Sequence, residues 1–95
     1  MNIEITSRHF KASEKLKGLV YEKMTKIKKF NIGIINCHVI LTKEGGSENV
    51  EIVARANGHD FIGSDIGTHF EESLINAVNK ISIQIIKHHR KSIGR

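Results

Sequence analysis

Ninety-five residues with a net charge of +5 and a pI near 9.6 make a one-domain length, and 39% hydrophobic content is enough to close a core. No run approaches the roughly 20 apolar residues of a bilayer span, and Met1 to Ile5 is too short, with Glu4 inside it, for a signal peptide. A single cysteine, Cys37, excludes an internal disulfide and any Cys-rich zinc module, so the expectation is one cytoplasmic domain over residues 1–95.

In chain order, Ile3 and Ile5 alternate with Asn2, Glu4 and Thr6, which predicts a first strand from Asn2 to Arg8. Ser13 is placed as an N-cap, and Leu16, Val20, Met24 and Ile27 recur at helical spacing, predicting a helix from Glu14 to Lys29 with its stop at Asn31 to Gly33. Gly18 falls opposite the apolar stripe of that helix. Ile34 to Lys43 is β-branched and apolar, Gly45-Gly46-Ser47 reads as a turn, and Asn49 to Ala56 alternates Val50, Ile52 and Ala54 against Glu51 and Arg55. Asn57-Gly58 is a second tight turn, followed by a fourth strand from His59 to Ile66 in which Gly63 reads as an interruption or bulge. From Thr68 the period returns to helical, with Phe70, Leu74, Ala77, Val78, Ile81 and Ile85 on one face of a helix running to Lys91.

The fold class is therefore α+β, in the order β-α-β-β-β-α. A crossover makes strands one and two parallel, hairpins make the rest of the four-stranded sheet antiparallel, and two amphipathic helices cover one face. That layering is similar to a double-stranded RNA-binding domain. The parity of the second strand stays open at this level, because Ile34 and Ile40 compete with Cys37, Val39 and Leu41 for the inward side.

Charge is segregated along the chain: residues 1–30 carry +5, residues 31–67 carry −3 and residues 68–95 carry +3. No acid follows Glu72, while Lys80, Lys87, Arg90, Lys91 and Arg95 do. Concentrated positive charge on a small domain favours a polyanionic partner through counterion release. Lys80, Gln84, Lys87 and Lys91 are spaced i, i+4, i+7, i+11, which stacks them in a line beside the apolar stripe, and Lys15, Lys23 and Lys26 form the matching flank of the first helix. Two such rows side by side would make one basic surface suited to the shape and phosphates of structured RNA. Five aromatic residues, most of them needed in the core, leave little for a base-stacking platform.

Asn2-Ile3-Glu4-Ile5-Thr6-Ser7-Arg8-His9, the turn Asn57-Gly58, the run from Asn79 to Ile85 and the end Lys87-His88-His89-Arg90-Lys91 resemble the short ribosome hibernation promoting factors, a family that includes ribosome-associated inhibitor A and the sigma-54 modulation proteins. The resemblance spans the chain and implies the same β-α-β-β-β-α fold. It also implies a non-enzymatic factor that sits on the small ribosomal subunit at the mRNA and tRNA decoding region, inhibits translation and promotes inactive ribosome dimers in stationary phase. The implied partners are the small subunit and its rRNA, with a ribosome modulation factor alongside, and the protein is expected to be a monomer off the ribosome. The family's basic positions carry over to Lys23, Lys26, Lys80, Gln84, Lys87, His88, Arg90 and Lys91, whereas Ile83 stands where the family usually has a base. A general double-stranded RNA-binding module is the competing reading.

Other chemistries find little support. His9, His38, His59, His69, His88 and His89 contain no i, i+4 pair, and Cys37 beside His38 on a strand points to the opposite face, so neither metal nor cofactor is expected. Cys37 has no positioned base, and Gly58, Gly63 and Gly67 match no phosphate-cradling loop, being read instead as turns and a strand bulge.

Overall fold

A computed structural model describes residues 1–30 and 33–93, with side chains described except at Ile35 and 90–93. Six elements follow in order: β1 (Asn2–Arg8), α1 (Glu14–Lys28), β2 (Ile34–Glu44), β3 (Ser47–Ala56), β4 (His59–Gly67) and α2 (Phe70–Ile93). The strands lie in sequence order, β1 parallel to β2 and the other pairs antiparallel. Boundaries shift by a few residues from the sequence expectation, as at the end of α1 and the β2–β3 turn. Lys29 becomes the C-cap of α1, and the Ser13 hydroxyl accepts the Leu16 N–H at 3.1 Å as its N-cap. Ser47 pairs with Glu44 rather than sitting in the turn, because Gly45 and Gly46 alone supply the two positive φ values, 51° and 83°, of a two-residue hairpin. Of the expected helix stop, Asn31 and Ile32 lie outside the described residues, and Gly33 has φ 76°.

Strand parity is settled by burial. Cys37, Val39 and Leu41 of β2 are fully buried beside Val50, Ile52 and Ala54 of β3 and Phe61 of β4. Val20, Met24 and Ile27 of α1 and Leu74, Ala77, Ile81 and Ile85 of α2 join the same cluster, so both helices cover one face. The other face is open, and cross-strand partners place on it the rows Glu4, His38, Val53, Ile62 and Thr6, Ile40, Glu51, Ser64. Thr6 Oγ1 and His38 Nε2 are 2.7 Å apart there.

The start of α2 is fixed from outside the helix. Oε1 of Glu48, near the start of β3, accepts the Phe70 N–H at 2.8 Å, and the Ser73 hydroxyl donates to the Glu48 carbonyl at 2.7 Å. A carboxylate at a helix N-terminus satisfies an orphan donor and opposes the positive end of the helix dipole. The ring of Phe70 stacks on Phe10 at 5.0 Å, tying this end of α2 to the segment after β1.

Gly63 and Gly67 are not at a bulge. The β3–β4 register runs without a break from Glu48 opposite Gly67 to Ala56 opposite His59, and the irregularity of the sheet falls in β2 between Ile34 and Asn36. The glycines mark close approach instead: a Cβ on Gly63 would lie 2.8 Å from the Ala77 carbonyl oxygen and 2.9 Å from Cγ1 of Ile81, and one on Gly67 2.6 Å from the Ser73 hydroxyl. Glycine at 63 lets the backbone of α2 rest on β4.

Two glycine substitutions should therefore have opposite signs. Gly63→Ala must push α2 off the strand and should cost about 1–3 kcal/mol. Gly18→Ala, with nothing within 4 Å of its new Cβ, should stabilise α1 by about 0.5–1 kcal/mol. Thermal or urea unfolding of the two variants beside the wild type checks both signs.

Candidate nucleic-acid interface

The helices carry the surplus basic charge of the chain, while the open sheet face sets Glu4, Glu51 and Asp60 against Arg8 and Arg55. Positive potential is thus concentrated on the helix side. The open face also lacks a stacking platform: Phe61 and Phe70 are buried, Phe10 and Phe30 pack against the core, and the exposed aromatic, Tyr21, is on α1.

Between α1 and α2 runs an open cleft of about 520 Å³, with Lys23, Lys26 and Lys29 on one wall and Ile75, Val78 and Asn79 on the other. The i, i+3, i+6 spacing of the lysines puts them on one side of α1. Lys26 Nζ donates to Asn79 Oδ1 at 2.7 Å, bridging the two helices. Three ammonium groups beside a side-chain amide form a groove that attracts phosphate.

The lysine row of α2 stands elsewhere. Lys80 Nζ donates to the Ser64 carbonyl at 2.7 Å and lies 3.5 Å from Asp65 Oδ1, while Gln84 bonds both the N–H and the carbonyl of Ile62, at 3.2 and 2.6 Å. Both side chains face the outer edge of β4. Lys23 and Lys26 face the interhelical cleft on the other flank of α2, so the two rows do not merge into one surface. Between them, exposed Ile83 and Ile86 run along the outer side of α2. The sequence reading missed this separation because spacing along one helix does not say which flank its neighbour occupies.

Lys87 is exposed on the same flank as Lys80. His88 leaves the row: its ring stacks on His59 with centroids 4.5 Å apart and meets Phe61 edge-on at 5.5 Å, at the end of the sheet where β4 begins. Arg90 and Lys91 lie on α2, and their side chains are outside the described residues. Lys29 belongs to the charge that thickens the end of the first helix in the sequence, whereas Asn79 was not among the residues selected for this surface, and its pairing with Lys26 needs the tertiary fold to be seen.

Burial pushes the Cys37 thiol up from its ordinary 9.0 to about 11, against a smaller opposing pull from the N-terminal ammonium. The folded thiol keeps a proton that the unfolded chain gives up near 9.0, so its contribution to stability is complete below that pH and is lost as pH rises toward 11. Urea unfolding between about pH 8 and about pH 10.5 should show a decline that is smaller in Cys37→Ala than in the wild type. Among the described residues no group of three or more His, Cys, Asp or Glu could hold a metal ion, and no helix is long and apolar enough to cross a membrane.

A four-stranded mixed sheet covered on one face by two basic helices defines a small α+β binding protein with its cationic side built from the helices. Residues 3–93 match the family described as sigma 54 modulation protein / S30EA ribosomal protein, and the chain belongs to that family, whose members are ribosome-associated binding factors. Solved structures share the fold at low identity. A ribosomal subunit interface protein from Coxiella burnetii superposes with a TM-score of 0.86 at 19% identity, over 94% of this chain and 98% of that one. The Protein Y N-terminal domain from Thermus thermophilus gives 0.85 at 18% identity, over 93% of this chain and 99% of that one. No curated protein matches the sequence.

Proposed function

We propose that this protein is a hibernation factor of the cytoplasm that docks its helix side on the rRNA of the small ribosomal subunit at the mRNA and tRNA decoding region, blocks translation and favours inactive ribosome dimers in stationary phase. Family membership supports ribosome association, and the observation that carries the docking side is the Lys23, Lys26 and Lys29 wall of the interhelical cleft facing Asn79. Contact is electrostatic and shape-based. Phosphates fit between ammonium groups, whereas no aromatic row is exposed to stack bases and no recognition helix is arranged to enter a major groove. Lys87, Arg90 and Lys91 extend the positive field toward the end of α2, with the His88 ring beside them against His59, and Lys80 and Gln84 offer a second set of polar contacts at the β4 edge. A ribosome modulation factor is the further partner this reading admits. The general duplex-binding alternative shares the helix layer but lacks an explanation for the family match.

Salt gives the first test. With about five phosphates neutralised, affinity for the small subunit should fall about 10²- to 10³-fold over a fourfold rise in salt, measured by co-sedimentation. A flat dependence would remove the electrostatic argument. In a toeprinting assay saturating protein should also suppress start-codon complexes of mRNA and initiator tRNA, and unchanged toeprints would count against the decoding region as the site.

Function and fold should separate on mutation. Changing Lys23, Lys26 and Lys87 together to Glu should cost at most about half a kcal/mol of stability per site, since the Lys26 bond to Asn79 is exposed. Ribosome pelleting should nonetheless be lost, because each reversal turns an attraction into a repulsion. Leu74→Ala, at a fully buried side chain, should cost about 2–5 kcal/mol and is the opposite control. Thermal unfolding beside co-sedimentation reads both effects.

A further inference from the structure

β4 is the outermost strand of the sheet, so one row of its backbone groups has no strand to pair with. The middle of that row, at Ile62 and Ser64, is occupied by side chains of α2. The Gln84 carboxamide accepts the Ile62 N–H at 3.2 Å and donates to the Ile62 carbonyl at 2.6 Å, the two bonds a residue of a neighbouring strand would make. Two residues on, the Ser64 carbonyl takes Lys80 Nζ at 2.7 Å, and Lys80 is held by Asp65, whose other oxygen accepts Asn76 Nδ2 at 3.0 Å. Lys80 and Gln84 are one helical turn apart and Ser64 and Ile62 two strand residues apart, so helix and strand run antiparallel with matched spacing.

We infer that Gln84 and Lys80 form a removable seal over the β4 edge, and that the edge they cover is a latent pairing site for β4 of a second copy of this chain. The strand is self-complementary. Antiparallel pairing about Gly63 sets Ile62 opposite Ser64 and Asp60 opposite Ile66, so no two like charges face each other. It also sets Ile62 of one copy diagonal to Ile66 of the other on the open face beside Val53, the two being 52% and 76% exposed in the single chain, with Ser64 and Asp60 between them. The symmetry is a closed two-fold, so association stops at a dimer. Both α2 helices then lie on the same side of the extended sheet with Lys80 and Lys87 of each copy turned toward the seam, a repulsion that reinforces the seal.

This inference concerns the free protein and stands apart from the ribosome reading. Sedimentation velocity at tens of micromolar compares the wild type, Lys80→Ala/Gln84→Ala, and the same pair with Ile62→Pro added, each checked by far-ultraviolet circular dichroism. The wild type should run at its 10.7 kDa monomer mass and the double variant at twice that with its folded signal intact. The proline should return it to a monomer, because it removes the outward N–H that a partner strand needs. If the double variant loses its folded signal, Gln84→Met, which keeps the stem and abolishes both bonds, carries the same comparison. A double variant that stays at the monomer mass overturns the proposal. So does association that survives the proline, or a wild type that is already dimeric and is made monomeric by Ile62→Pro alone.

Discussion

The close seating of α2 on β4 is the constraint from which the rest of the molecule follows. With no side chain at Gly63, the helix backbone comes to the strand at Ala77 and Ile81, and every other α2 contact inherits that position. Leu74, Ile81 and Ile85 are driven into the core beside Phe61, which removes their apolar surface from water at about 25 cal/mol per Å². At the same depth Gln84 and Lys80 reach the edge backbone of β4, and on the other flank Asn79 comes within a hydrogen bond of Lys26. Glu48 fixes where the helix starts, so its rotational phase is held by a cap at one end and a glycine contact in the middle.

Phase decides charge placement. Turning α2 so that its apolar stripe faces the sheet leaves two flanks. One meets α1 and its lysines, and the other overhangs β4 with Lys80 and Lys87. The acidic middle of the chain forms much of the sheet, and its carboxylates stand on the open face or serve locally, as Glu48 does for α2 and Asp65 for Lys80. A bipolar molecule results from this sorting. Its cationic side is helical and grooved between α1 and α2, which suits a polyanion of fixed shape better than extended single strands.

Element order and strand pairing were legible from periodicity, because period two and period 3.6 are distinct and the two-glycine and Asn-Gly turns punctuate them. The parity of β2 was not. Ile34 and Ile40 are as apolar as Val39 and Leu41, and only pairing with Ala54 and Ile52 of β3 decides the inward set. Gly63 was read as a local irregularity of its own strand, since nothing near it in sequence reveals that a helix 14 to 18 residues on, at Ala77 and Ile81, will touch it. Glu48 carried no sequence signal as a cap, being 22 residues from the N–H it accepts. The lysines of both helices could be named from spacing, but their division between two flanks is a property of packing.

That division bears on how the basic residues act. In the free protein Lys23 and Lys29 line a cleft, while Lys80 and Gln84 are bound to the backbone of an edge strand. These bonds are exposed, so water takes over the freed backbone groups at small cost, and engagement with the β4 edge places Lys80 and Gln84 only slightly behind the cleft lysines for a first contact with phosphate. In the proposed docking, first contact falls to the cleft and to Lys87, whose ammonium groups are reached without breaking the sheet. Lys80 keeps a third N–H beyond those directed at Ser64 and Asp65 and can add a phosphate in place, whereas swinging Lys80 or Gln84 fully outward gives up its bond to the β4 edge. The same two side chains therefore couple the two sides of the protein's chemistry: whatever draws them outward also bares a strand.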